Sequence, residues 1–193
     1  MTFNNTTSTI DLLLTRRSGK AKLMTEPGPS DEQLRTILEA GMRVPDHGKL
    51  APFRFHVFQG EAQEKFGEVI MDCYEKEEQQ KTDAALNKLI NFPQQAPVMI
   101  AVTSVLNNAR PIPEIEQRLS AGAACQNIML AATALGFNVN WLTGWSAFSK
   151  GVKKALNVGE HDHIAAFIFI GSSDQDLTER PRPNFDDIVT YWD

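Results

Sequence analysis

The sequence predicts a β-sheet covered by α-helices. Two continuous apolar runs, 97–105 (PVMIAVTSV) and 164–170 (IAAFIFI), are typical of strands that are buried on both faces. Segments with helical periodicity surround these runs, so we expect a sheet and helices layered around one core. The 193 residues and the 42% hydrophobic content are sufficient for one compact domain over residues 1–193.

Capping and periodicity signals predict the elements in the first half of the chain. Thr9 is a candidate N-cap before an apolar cluster, and Ser30 with Gln33 has the spacing of a capping box. Residues 53–58 alternate and are rich in aromatic side chains, which is typical of a strand. The predicted order is a short helix from Thr9 to about Arg17, a loop over 19–29, a helix begun by Ser30 and ended by Pro45 and Gly48, and a strand over 53–58.

The second half contains the longest helical segment, 114–135. Its middle, 120–125, consists almost entirely of small residues, which lets another helix approach closely. Val189, Tyr191 and Trp192 form an apolar chain end that needs a covering surface. The other predicted elements are helices over 61–80, 83–90 and 149–156 and a strand over 137–142.

Composition limits the possible functions. The net charge is -5 and the pI is about 5.4, so no overall positive field favours nucleic acid or anionic lipid. Two cysteines cannot make a disulfide framework or a four-cysteine zinc site. No apolar run is long enough to span a bilayer, and the N-terminus lacks the features of a signal peptide. We therefore expect a soluble cytoplasmic protein.

The first candidate site is the run RRSGK, residues 16–20. Its guanidinium groups can bind a phosphate through bidentate charge-assisted bonds, and Ser18 adds a donor. A solvated helix end that complements the helix dipole is the simpler interpretation and, for the motif alone, the favoured one. Arg180 and Arg182 lie in a stiff RPRP segment, which either meets the same phosphate as Arg16 or is a solvated connection.

Two further segments combine polar and aromatic residues with turns. In RVPDHGK, residues 43–49, His47 can be a donor, a base or a capping side chain, or the turn only ends a helix. Trp141 and Trp145 flank a Thr-Gly turn and either form the walls of a planar ligand site or are ordinary core residues.

Other catalytic patterns are absent from the sequence. No third ligand is evident from the spacing around His161 and His163, so we predict no metal site and keep a metal hydrolase only as a weak alternative. The sequence contains no GxSxG, GxGxxG or GxxxxGK[ST] motif, although these absences leave a Ser or Cys triad open.

The order of the motifs indicates a family. The segments RRSGK, GMRVPDHGKLAPFRFHVF, APVMIAVTSV, GFNVNWLTG and RPRPNFDDIVTYW follow one another along the chain. In this order the chain resembles the short branch of the nitroreductase family, FMN-dependent NAD(P)H oxidoreductases, from about Thr9 to Trp192. The resemblance implies an α+β fold with a central, mostly antiparallel sheet. It also implies a homodimer with two FMN sites at the interface and a domain-swapped C-terminal tail.

The resemblance further implies which residues bind FMN. Arg16, Arg17 and Ser18 contact the phosphate and the ribityl chain, and Lys20 lies near the N1 and O2 edge of the flavin. Arg43 and His47, in the turn, reach the FMN that is held mainly by the other subunit. The segment 141–144 lines the flavin ring. Either Arg180 or Arg182 contacts the phosphate. The matching positions are Arg16, Arg17, Ser18, Lys20, Arg43, His47, Trp141, Leu142, Thr143, Gly144, Arg180 and Arg182.

The activity implied is hydride transfer from NAD(P)H, through FMN, to an electron-poor acceptor such as a nitroaromatic or a quinone, by a ping-pong mechanism. We assign no catalytic residue, because the flavin carries the chemistry and either solvent or His47 supplies protons. A flavin-binding module without turnover, and a flavin-dependent dehydrogenase or dehalogenase on the same scaffold, are the alternatives.

Overall fold

A computed structural model describes residues 2–192, which form a four-stranded sheet and seven α-helices. The strands are β1 (Phe53–Gln59), β2 (Val98–Ser104), β3 (Asn138–Leu142) and β4 (His163–Gly171). Their order is β1-β2-β4-β3 and all neighbours are antiparallel, so β1 and β3 are the edge strands. The predicted α+β class with a mostly antiparallel sheet is confirmed.

Helices cover both faces of the sheet. They are α1 (Thr9–Thr15), α2 (Asp31–Gly41), α3 (Glu61–Glu77), α4 (Asp83–Ile90), α5 (Glu114–Ala134), α6 (Lys150–Ala155) and α7 (Phe185–Ile188). Successive strand residues point to opposite faces. Ile168 therefore packs with α2 and α5, whereas Phe167 and Phe169 pack with α3 and α6. Both central strands are buried on both faces, as their continuous apolar sequences predict.

The element boundaries differ from the predicted ones in several places. Helix α1 begins after Ser8 rather than Thr9, because the Ser8 side chain accepts the backbone N–H of Asp11. Helix α3 ends at Glu77, before the predicted end at residue 80. The tail contains the one-turn helix α7, which is too short to leave a periodic pattern in the sequence.

The capping box of α2 is present as predicted. The Ser30 hydroxyl accepts from the Gln33 backbone, and the Gln33 side chain accepts from the Ser30 backbone. Two of the unpaired N–H groups of the helix start are thereby satisfied. Within residues 2–192, none of the helices combines the length and apolar character that crossing a membrane requires.

Close packing of α3 against the end of α4 depends on Gly67. A Cβ at this position would overlap the backbone carbonyl oxygen of Ile90, which cannot move without displacing α4. The absence of a side chain at Gly67 therefore lets the two helices meet, and α4 contributes to the pocket described below.

We expect Gly67→Ala to lower the free energy of unfolding by about 1–3 kcal/mol, the usual cost of overpacking. Helix propensity alone predicts the opposite sign, a gain of about 1 kcal/mol. Urea unfolding followed by circular dichroism at fixed protein concentration measures the difference. Glu68→Ala, at an exposed position of the same helix, is the control and should change stability by less than about 0.5 kcal/mol. A Gly67→Ala protein more stable than the wild type would contradict the packing argument.

Candidate functional site

Arginines from the two ends of the chain meet beside strand β3. Arg16 is partly buried and its Nη1 donates to Ser18 Oγ at 3.3 Å. Its pKa is lowered mainly by burial and further by the charges of Arg17 and Arg182, which lie close by. We call Arg16, Arg17, Arg182 and Ser18 the arginine cluster. Mutual repulsion among three guanidinium groups makes the cluster a site that favours an anion.

The C-terminal segment is tied to this cluster through Glu179. The Glu179 carboxylate lies 3.7 Å from Arg17 Nε and 3.2 Å from Arg182 Nη2. Arg17 Nε also donates to the backbone carbonyl of Thr178 at 2.9 Å. The cluster contains three guanidinium groups and Glu179 pairs with two of them, so positive charge remains in excess.

The loop that carries Arg16 lies against the edge strand β3. The backbone N–H of Gly19 donates to the carbonyl of Val139 at 3.1 Å, and the Asn140 side chain donates to the Gly19 carbonyl. A Cβ on Gly19 would lie 2.8 Å from the Asn138 side-chain oxygen, so a larger residue here would have to displace that side chain. The backbone of Lys20 donates to Gln175 at 2.8 Å, and its side chain is exposed.

An aromatic pocket opens at the other end of β3. It is a cavity of about 540 Å³ that lies between α3, α4 and the loop after β3. Its aromatic walls come from Tyr74, Phe92 and Trp145, and Lys88 lines it too. The predicted ring-binding residues Trp141, Leu142, Thr143 and Gly144 all line this pocket. A cavity with apolar walls and a few polar groups is the usual form of a small-molecule site.

The end of α3 positions this pocket. Trp145 Nε1 donates to Glu78 Oε1 at 2.7 Å, and the Tyr74 ring meets Trp145 edge-on with centroids 5.1 Å apart. The Glu77 carboxylate accepts the Ser149 hydroxyl at 3.0 Å and the Lys150 backbone N–H at 3.2 Å. The two carboxylates therefore fasten the end of α3 to the chain that follows β3, Glu78 to Trp145 and Glu77 to the start of α6.

The arginine cluster and the aromatic pocket flank the same short strand. Three residue steps separate Val139, which pairs with the arginine loop, from Leu142, which lines the pocket. At the strand rise this is about 10 Å. The two features therefore lie along the same edge of the sheet.

Arg43 and His47 lie elsewhere in the chain. They precede β1, the opposite edge strand, and four strands span about 14 Å. His47 Nδ1 lies 2.7 Å from Glu116 Oε2 of α5, and its side chain is largely exposed. Among residues 2–192 neither residue shares a hydrogen bond or ion pair with the arginine cluster.

Sequence patterns missed several residues of the site. Arg182 belongs to the cluster, whereas the hydrogen bonds of the described chain give Arg180 only a backbone contact to Glu179. Glu179 itself lies beside two predicted arginines, but no motif marks it. No sequence motif marks Tyr74, Glu78 or Phe92, which lie in a region of predicted helices. Only the fold brings them to the pocket.

Other chemistries find little support in the described chain. No three His, Cys, Asp or Glu side chains among residues 2–192 form a group that could hold a metal ion. Burial raises the pKa of the Cys125 thiol to about 12 and also raises that of Cys73. Both thiols are buried and remain protonated at neutral pH, which makes them poor nucleophiles.

Comparison with solved structures defines the class of protein. A nitroreductase-like family protein from Bacillus cereus superposes with a TM-score of 0.79 over 96% of each chain, at 18% sequence identity. A chain from Desulfovibrio desulfuricans, solved in complex with FMN, gives a TM-score of 0.65 at 26% identity and covers 88% of this chain and 90% of its own. The predicted nitroreductase-like fold is therefore confirmed.

Sequence comparison identifies the family. The model of the Nitroreductase family matches residues 13–172. The chain is 37% identical over 184 residues to an Escherichia coli (strain K12) protein named "Putative NAD(P)H nitroreductase YdjA", covering 95% of this chain and 98% of that protein. The chain belongs to the nitroreductase family, and the predicted class of enzyme, an oxidoreductase, is confirmed.

We expect Trp145→Phe to lower the free energy of unfolding while keeping an aromatic side chain in the wall of the pocket. The variant removes the N–H that Glu78 accepts, and losing a hydrogen bond to a charged group costs about 1.5–3 kcal/mol. Urea unfolding at fixed protein concentration measures this loss. Trp141→Phe is the matched control, because Trp141 lines the same pocket and its side chain makes no hydrogen bond among the described residues. Equal stability of the two variants would show that the Glu78 contact does not hold the loop.

Proposed function

We propose that this protein is an FMN-dependent oxidoreductase that takes hydride from NAD(P)H and reduces an electron-poor acceptor such as a nitroaromatic or a quinone. The observation that carries the proposal is the placement of the arginine cluster and the aromatic pocket along one short strand. FMN has a phosphate at one end and a planar ring at the other, so the residues present fit it. When bound, FMN supplies the chemistry of accepting a hydride and passing on its electrons.

The arginine cluster would hold the phosphate. Guanidinium groups form bidentate charge-assisted bonds with phosphate oxygens, and Ser18 adds a hydroxyl donor. Partial burial of Arg16 strengthens the interaction, because the dielectric screening of buried charges is weaker than that of exposed ones. Arg182 is the better placed of the two C-terminal arginines, since it alone lies close enough to affect Arg16.

The segment 141–144 would line the ring. Its residues lie on one wall of the aromatic pocket, and Gly144 has a positive φ of 68° that turns the chain there. We assign Lys20 to the N1 and O2 edge of the flavin. A cation there stabilises negative charge on the ring and so raises the reduction potential. NAD(P)H and the acceptor would enter the same pocket in turn, which is the ping-pong order.

A homodimer would complete the site. Arg43 and His47 cannot reach the cluster of their own chain across the sheet, so a second copy would supply them. The outward face of α5 supports this proposal, since Ile115 and Leu119 are more than 60% exposed and a Cβ on Gly122 would meet nothing within 4 Å. The tail exposes further large apolar side chains, which a swap onto a partner would cover, namely Phe185, Ile188, Tyr191 and Trp192.

The absorption spectrum of the purified protein, before and after incubation with FMN, tests the proposal. We expect bound flavin. Anaerobic mixing with NADH and then NADPH should bleach the flavin, and adding a nitroaromatic or a quinone should restore its colour. Flavin that binds but stays oxidised with both nucleotides would indicate a binding module without turnover. A colourless protein that takes up no FMN would overturn the proposal.

We expect Arg16→Ala to weaken FMN binding by about 10- to 100-fold, the equivalent of losing one or two hydrogen bonds to a charged group. Quenching of flavin fluorescence on titration with apoprotein measures the dissociation constant. Arg35→Ala is the control, because Arg35 is exposed on α2 and pairs only with Glu39. Riboflavin, which lacks the phosphate, should bind both variants alike. Unchanged FMN affinity of Arg16→Ala would exclude Arg16 as a phosphate ligand.

We expect Leu119→Arg to convert the dimer to monomers and to lower its flavin content. A charge at the centre of an apolar helix surface is costly to bury, and a central interface residue often contributes about 2 kcal/mol or more. Light scattering coupled to gel filtration measures the mass. Phe148→Arg, at a 78% exposed apolar position in the layer opposite α5, should remain dimeric. A dimeric Leu119→Arg protein would place the interface elsewhere.

A further inference from the structure

We infer that Glu179 is an internal competitor for the FMN phosphate, which has to displace this carboxylate from Arg17 and Arg182. The inference rests on the proposed function and assigns to Glu179 the setting of cofactor affinity. Glu179 would hold the arginine cluster together before FMN binds and would release it when FMN arrives.

The contacts of Glu179 resemble those of a phosphate. Its Oε1 atom lies 3.7 Å from Arg17 Nε and 3.2 Å from Arg182 Nη2, and it accepts the backbone N–H of Arg180 at 2.7 Å. A carboxylate and a phosphate use the same guanidinium donors. An incoming phosphate therefore competes directly with Glu179 for these donors.

The negative charge of Glu179 explains why a bound phosphate would have to displace it. The pKa of Glu179 is lowered, first by the Arg180 backbone N–H and then by the charges of Arg182 and Arg17, so the carboxylate is ionised at neutral pH. If Glu179 stayed in place beside a bound phosphate dianion, two anionic groups would repel each other in contact. Moving Glu179 away removes that repulsion. Breaking its contacts with the arginines costs free energy, and this cost lowers the affinity for FMN.

The Glu179 side chain can move because the residue is exposed to solvent. Glu179 is exposed, in a segment between β4 and α7 that contains no helix or strand. The backbone beside it is held independently, since Arg17 Nε donates to the Thr178 carbonyl at 2.9 Å. Rotating the carboxylate into solvent therefore leaves the connection between the segment and Arg17 intact.

Comparing Glu179→Gln with the wild type tests the inference. The amide keeps the size of the side chain and removes its charge. We expect the dissociation constant for FMN to fall by about three- to tenfold at low salt, since the two ion pairs of Glu179 no longer have to be broken. The difference should shrink as NaCl is raised, because salt screens exposed charges. Flavin fluorescence quenching with apoprotein measures both effects.

Two controls separate this effect from a general change of charge or fold. Asp176→Asn removes a carboxylate that is exposed in the same segment and makes no ion pair among the described residues, so its FMN affinity should match the wild type. Riboflavin should bind Glu179→Gln and wild type equally, because the competition concerns only the phosphate.

The outcomes are distinct. Unchanged or weaker FMN binding by Glu179→Gln would overturn the inference, and weaker binding would show that Glu179 only anchors the segment. Equal tightening by Asp176→Asn would reduce the effect to net charge and overturn it too. If the wild type binds neither FMN nor riboflavin, the proposed function itself fails. If it binds FMN and Glu179→Gln does not differ, only the role of Glu179 fails.

Discussion

The pairing of the arginine loop with the edge of β3 is the contact on which the rest of the site depends. Gly19 donates to Val139, and the side chain of Asn140 donates back to Gly19, so this loop is held as an addition to the sheet edge. The strand is rigid because β4 holds its other side along its whole length. Any displacement of β3 would therefore move the arginine loop and the segment 141–144 together.

The second support comes from the opposite layer. Glu77, the last residue of helix α3, binds the start of α6, and the next residue, Glu78, binds Trp145. Helix α4 packs on α3 at Gly67 and adds Phe92 at its end to the pocket. The shape of the pocket therefore depends on how α3 and α4 pack against each other.

Much of the fold could be predicted from local signals. The capping box at Ser30, the continuous apolar runs and the aromatic-rich stretch 53–58 each act within a few residues, and the elements that they predict all appear in the structure. The differences lie where two local signals compete, as at Ser8 and Thr9, or where a long-range contact ends a helix, as at Glu77. Neither kind of difference changes the order of the elements.

The site was less predictable, because its contacts join distant parts of the chain. Arg17 and Thr178 are 161 residues apart, and Trp145 and Glu78 are 67 apart, and neither pair leaves a periodic signal. The basic runs also suit solvated surfaces, and the tryptophans around the Thr-Gly turn also suit an ordinary core, so neither composition alone identified a site. Their order along the chain resembled that of a known family, and this resemblance, rather than any single motif, pointed to the cofactor.

The position of His47 and Arg16 on opposite sheet edges has a genetic consequence. In the proposed dimer each flavin would draw its phosphate ligands from one polypeptide and its turn from the other. Two defective alleles, one lacking Arg16 and one lacking His47, would then complement each other in a mixed dimer, because one of its two sites would receive intact halves from both. Co-expressed chains would thus recover one working centre per molecule where neither allele alone has any.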